Sequence, residues 1–121
     1  MALRTIREIG DPILEKECKP LKTVTDRTID LINDMFETMY HSDGVGLAAP
    51  QIGKAIRLVV ITLDVLKDDY PEYEGFNKCY INPHILEYDD TETETMDEGC
   101  LSLPGIHEPV RRPTRIHVQY M

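Results

Sequence analysis

Two short strings hold the residues best suited to chemistry. Residues 44–51 read Gly-Val-Gly-Leu-Ala-Ala-Pro-Gln, and residues 98–102 read Glu-Gly-Cys-Leu-Ser. Gly44 and Gly46 carry no Cβ, so the backbone there can turn sharply and approach a ligand closely. Leu47, Ala48 and Ala49 suit a tightly packed segment beneath a groove. Gln51 ends the string with a carboxamide able to donate to a carbonyl oxygen. A helix stop followed by a packed turn would explain Gly44 alone. It does not explain the string, since seven specified positions arise by chance at roughly one in 10⁸ per start site at average residue usage.

The second string centres on Cys100. A lone cysteine after a glycine is ordinarily a small buried hydrophobe. A hydrolytic metal site asks for more, because zinc in such a site takes three protein ligands and keeps one position for water. A second specific string upstream raises the standing of Cys100 as a ligand. Leu103-Pro104-Gly105 reads as a turn leaving the site. The histidines are His41, His84, His107 and His117. No two stand four apart, the spacing that puts two imidazoles on one helical face. His107-Glu108 runs into Pro109, so His107 reads as a loop residue after the Cys100 string, at the groove edge. His117 falls on the polar face of a strand, and His41 sits at a helix C-terminus, where its positive form is favoured. Cys100 with His107 or His117 could form a different metal or thiol site. Nucleophilic chemistry there would need a positioned base and an oxyanion hole, and only donors at Gln51 and Leu101 speak for it.

The elements that must position these strings are legible in outline. Gly10-Asp11-Pro12 reads as a turn before a short helical piece over Ile13 to Cys18, ended by Pro20. The strongest helix runs from about Thr25 to His41, with Thr25 as cap and Asp26 at its positive end. Ile29, Ile32, Phe36 and Met39 form one apolar stripe, widened by Met35 and Tyr40, with Asp30, Asn33, Asp34 and Glu37 opposite. Ser42-Asp43-Gly44 stops the helix. Arg57 to Leu63 reads as a largely buried strand, and 64–77 as an acidic exposed loop with one helical turn. Tyr80 to Tyr88 and Thr91 to Met96 read as two strands joined in a hairpin at Asp89-Asp90, with Pro83 marking a bend or an edge. Arg115 to Tyr120 alternates as a last strand. One long helix near the front followed by short strands predicts an α+β domain with antiparallel pairing. No linker-like composition breaks residues 1–121, so they read as a single domain.

Bulk composition narrows the function. The net charge of −9 argues against nonspecific nucleic-acid binding, which needs clustered Lys and Arg. The longest apolar run, Leu58 to Ile61, is too short to span a membrane. Residues Met1 to Arg7 lead into no apolar stretch of signal-peptide length. Cys18, Cys79 and Cys100 make an odd count that does not read as a disulfide framework. A soluble protein of a reducing cytoplasm fits.

Taken together, the two strings resemble the first two signature motifs of the peptide deformylases. The resemblance runs along essentially the whole chain. Residues 6–12 look like the family's N-terminal segment, 35–40 like the end of its first long helix, and Tyr80-Ile81-Asn82-Pro83 like its Ile-Asn-Pro strand. It implies a peptide-deformylase-like α+β fold and removal of the formyl group from N-formylmethionyl peptides, with Fe²⁺ or Zn²⁺ as cofactor. It assigns Cys100 as metal ligand, and Gln51 and the backbone N–H of Leu101 as oxyanion donors. Val45, Gly46 and Gly99 would line the peptide groove, with Glu98 beside the site. The family's third motif, H-E-x-x-H, supplies two histidine ligands and the catalytic glutamate, and it is absent from these residues. The resemblance therefore implies a shortened chain that lacks the family's central metal-binding helix and is inactive by itself. Its uncovered apolar surface would make it self-associate or pair with a missing C-terminal piece. The alternative is a non-catalytic module that keeps the groove and binds a peptide or a partner.

Overall fold

The computed structural model describes residues 2–89 and 91–121. Its one α-helix among these residues, α1, spans Asp26–His41. Thr25 caps it: the Thr25 hydroxyl accepts the Thr28 N–H, and the Thr28 hydroxyl accepts the Thr25 N–H. This reciprocal pairing satisfies two N–H groups that the first turn leaves without partners. The helical piece expected over Ile13 to Cys18 is a single 3₁₀ turn, Pro12–Glu15, capped by the Asp11 side chain.

Seven strands follow among the described residues: β1 Gly46–Ala48, β2 Leu58–Thr62, β3 Asn77–Ile81, β4 His84–Tyr88, β5 Thr93–Cys100, β6 Leu103–Pro113 and β7 Ile116–Gln119. All pair antiparallel, in three sheets: β1-β2-β3, β4-β7 and β5-β6. Helix α1 packs on one face of the three-stranded sheet. Leu31, Met35 and Met39 meet Leu47, Ala49, Ile52, Leu58 and Val60, all buried. The β2 strand alternates as a half-buried strand must, with Leu58, Val60 and Thr62 inward. Thr62 brings a polar atom into the core and satisfies it by donating to Asn77 Oδ1 at 2.6 Å. On the other face, Val59, Ile61 and Tyr80 share an apolar concavity of about 560 Å³ with Ile85, Val118 and Tyr120.

Five expectations change. The helix buries a stripe centred on Leu31, Met35 and Met39; Ile32 and Phe36 are half-buried, and Ile29 and Tyr40 are exposed. Asp34, expected on the solvent face, is buried. The expected hairpin between residues 80–88 and 91–96 does not form: β4 pairs with β7 and β5 with β6. Its proposed joint falls partly on Asp90, outside the described residues. The Tyr80–Tyr88 run divides at Asn82, whose φ of +52° breaks the strand. Asn82 suits that left-handed conformation and uses its side chain to hold Leu21 at both N–H and C=O. The largest omission is β6, expected as turn and loop because Pro104, Gly105, Pro109 and Pro113 fall in it. A two-stranded ribbon has an open outer edge, where proline's missing N–H leaves no ladder bond unmade.

Asp34 is buried because the N-terminal segment crosses over it. Its Oδ1 accepts the Ala2 N–H at 2.6 Å, and its Oδ2 accepts Arg4 Nη2 at 2.7 Å and Nε at 2.9 Å. Arg4 N–H also donates to the Thr38 hydroxyl at 2.9 Å. The backbone N–H of Ala2 and then the Arg4 guanidinium hold the Asp34 carboxyl below its ordinary value of 3.8. A carboxyl depressed in the folded state contributes stability that is complete above the ordinary value and fades as pH falls below it. Arg4 remains about a third exposed, which weakens the ion pair. Asp34→Asn should therefore cost about 1–3 kcal/mol near neutral pH. In melts between pH 7 and pH 2.5, its deficit against the parent should shrink as the pH drops below about 4. A deficit that stays constant with pH would show that the carboxylate's charge contributes nothing.

Candidate functional site

The end of α1 aims the first string. Gly44 N–H closes the helix by donating to Met39 O at 2.9 Å, and Asp43 takes a left-handed φ of +57°. The sharp turn is thus made at Asp43. Gly44 serves close approach instead: a Cβ there would lie 2.7 Å from Leu101 Cδ1. Leu101 packs against the core cluster, so this contact draws the second string onto the first. Residues 46–48 then form an outer strand of the three-stranded sheet, pairing only with β2.

Gln51 sits in the 3₁₀ turn Ala49–Ile52, which starts with Pro50 in its first positions and ends on Gly53 at φ +86°. Its side chain folds back. Oε1 accepts the Ala48 N–H at 2.9 Å, and Nε2 donates to Ser102 Oγ at 3.1 Å and faces Cys100 Sγ at 3.8 Å. The Ala48 donor requires an acceptor, so the amide orientation follows from the network. The N-terminal segment braces both strings from behind: Arg7 N–H donates to Gln51 O at 2.6 Å and Ile9 N–H to Ser102 O at 2.9 Å.

Gln51, Cys100 and Leu101 line one cavity of about 560 Å³ with Val45, Gly46 and Gly99. Six of the seven residues singled out from the sequence are thus brought together. The seventh, Glu98, is not among the lining residues. Its carboxylate is gripped by the Arg112 guanidinium across the β5–β6 ribbon, which holds its pKa below the ordinary range.

Two further residues complete the site. His107, expected in a loop at the groove edge, lies instead in strand β6 directly opposite Gly99, and it does line the cavity. Its ring covers the glycine so closely that a Cβ at residue 99 would stand 2.7 Å from Cε1. Ser102 is buried beneath the cavity with its hydroxyl on Gln51. It stood inside the second string, yet spacing alone could not show that its hydroxyl reaches a residue 51 positions away. His117 lies elsewhere, in the β4–β7 sheet beside Glu87, so the alternative of a Cys100–His117 site loses its geometry.

Cys100 presents an exposed thiol to the cavity. Among the described residues no group of three His, Cys, Asp or Glu side chains comes together to hold a metal ion. One thiolate does not make a hydrolytic metal site, so the donors present do not fit a metal by themselves.

The sequence matches the family model described as polypeptide deformylase over residues 3–121. A peptide deformylase of Clostridium botulinum is 46% identical over 116 residues, covering 96% of this chain and 71% of the relative. The crystal structure of the Thermotoga maritima peptide deformylase superposes with a TM-score of 0.85 at 42% identity, covering 98% of this chain and 73% of that one. The Ehrlichia chaffeensis peptide deformylase, solved in complex with actinonin, gives 0.89 at 36% identity, covering 100% and 69%. The chain spans 62 to 71% of the length of the curated relatives it matches. With motif strings, fold and site geometry in agreement, this chain belongs to the peptide deformylase family.

Proposed function

We propose that these residues form the substrate-binding and oxyanion-stabilising part of an enzyme that removes the formyl group from N-formylmethionyl peptides. The observation that carries this reading is the Gln51 carboxamide held over Cys100 at the floor of a groove. The outer strand at Val45-Gly46 and the ribbon at Gly99 offer backbone to an extended peptide, which would pair as an added strand. Glu98 lies beside the groove rather than in it, its carboxylate held in the fork of Arg112. As the formyl carbon becomes tetrahedral, its oxygen gains charge. Gln51 Nε2 and the Leu101 N–H are the donors this chain would present to it. Cys100 is the thiolate the chain contributes to the family's metal, Fe²⁺ or Zn²⁺. Deformylases are metalloenzymes, but with one donor present the metal's chemistry is not derivable from these residues.

A second reading has a specific observation in its favour. Because no three-donor group assembles among the described residues, the 121-residue chain would bind formylated peptide without hydrolysing it. Three free cysteines fit a reducing cytoplasm for either reading.

Titrating the chain with a formyl-Met-Ala peptide separates these ideas. Backbone NMR signals of Val45, Gly46 and Gly99 should shift, while formate release stays at the uncatalysed rate and bound iron or zinc stays well below one per chain. Absence of any shift would sink the groove assignment. Metal-dependent formate release by the chain alone would sink the expectation that it is inactive by itself. Supplying a segment with the family's H-E-x-x-H motif should restore metal binding and turnover. In that active form Gln51→Ala should lower kcat by about 10²–10³, the usual effect of removing one oxyanion donor. A loss smaller than threefold would take Gln51 out of the reaction.

A further inference from the structure

A glutamine that stabilises a developing negative charge must have its amide fixed before the charge appears. Preorganised donors are effective because they do not reorient during the reaction. Gln51 is fixed at one point by the Ala48 N–H on Oε1, and this settles which end of the carboxamide faces the groove. A single bond still leaves the amide plane free to swing about it. The second point is Ser102. Its Oγ receives Gln51 Nε2 at 3.1 Å, and the residue is 5% exposed, so solvent does not compete. An Nε2 group has two protons. With one on Ser102, the other is directed toward Cys100 Sγ and the cavity.

A serine at the tip of a hairpin ordinarily serves the turn, with its hydroxyl on nearby backbone. Here the hydroxyl goes to a residue 51 positions away. Ser102 is also held from the far side. The Arg7 and Ile9 N–H groups, two residues apart, reach Gln51 O and Ser102 O. One short segment thus holds both of these carbonyls.

We infer that Ser102 is a positioning residue for Gln51: its buried hydroxyl anchors one Nε2–H and thereby aims the other into the groove over Cys100. The functional consequence rests on the deformylase reading, but the anchoring itself can be read without it.

Gln51 and Gln119 are the two glutamines of the chain, and Gln119 is exposed. Selective ¹⁵N-glutamine labelling therefore gives two pairs of side-chain amide signals, one of them an internal reference. In the parent protein the Gln51 Nε2 protons should exchange with water roughly five- to tenfold more slowly than those of Gln119, as a hydrogen bond of ordinary strength provides. Ser102→Ala should bring them to the Gln119 rate, and Ser102→Thr, which keeps the hydroxyl, should retain the protection. The proposal is overturned if the parent's Gln51 exchanges like Gln119. It is equally overturned if the alanine variant stays protected, or if the threonine variant loses protection as alanine does. Should the alanine variant not fold, the parent and threonine measurements still decide. Adding formyl-Met-Ala peptide to the same samples tests the groove separately. Failure to bind would remove the deformylase reading and leave the Ser102–Gln51 result standing.

Discussion

Everything at the site hangs on one carboxamide that is bonded in two directions. Gln51 reaches back to the Ala48 N–H in its own turn and forward to the tip of the β5–β6 ribbon. The two strings lie far apart in sequence, and loop closure across such a stretch costs entropy that local contacts must offset. Three contacts do so at one place: the Gln51–Ser102 bond, the Leu101 side chain seated over Gly44, and the braces from Arg7 and Ile9. The absence of a Cβ at Gly44 is as much a part of this joint as the hydrogen bonds. A methyl group there would sit 2.7 Å from Leu101 Cδ1, and either the hairpin tip or the helix end would have to move.

The joint in turn rests on the N-terminal segment. Residues 2–9 first tie to α1 through Asp34 and Thr38, then to Gln51 and finally to Ser102. A segment without helix or strand of its own thus links the helix to both functional strings. Burial of the Asp34 carboxylate is tolerable because every contact it makes is with a donor and one of them is a guanidinium. The helix face expected to meet solvent is for this reason partly a docking surface for the chain's own start.

The sequence exposed those features that depend on local pattern. The Thr25 cap, the helix stop at 42–44 and the alternation of β2 follow from residue types a few positions apart. The motif strings, through the resemblance they carry, singled out Gln51, Cys100, Leu101, Val45, Gly46 and Gly99, and the fold lines one cavity with these six. What stayed hidden depends on contacts distant in sequence. Asp34 reads as a polar helix residue until Arg4 is seen to cross it. The β6 strand reads as loop because prolines weigh against a ladder, and their cost vanishes only on an outer edge. Its partner, β5, reads as half of a different hairpin, since the nearest alternating run in sequence is not its neighbour in the fold.

The distribution of burial shows why the tip contacts matter more than the ribbon they terminate. The buried core lies in α1, the β1-β2-β3 sheet and the 3₁₀ turn Ala49–Ile52, whereas most residues of β5, β6, β4 and β7 are exposed. A two-stranded ribbon with both faces in water is marginal in isolation. The exposed Glu98–Arg112 pair adds little to its stability, because such pairs exchange one set of solvated charges for another. The position of Cys100 in space is therefore set from its C-terminal side, by Leu101 against the core and Ser102 on Gln51, and only weakly by the ladder of β5 with β6. The same two residues that close the hairpin fix the thiol relative to the Gln51 carboxamide. A segment with so little buried area is thus held by one half-buried side chain and one buried hydroxyl, while the ribbon beyond them only carries the wall of the groove.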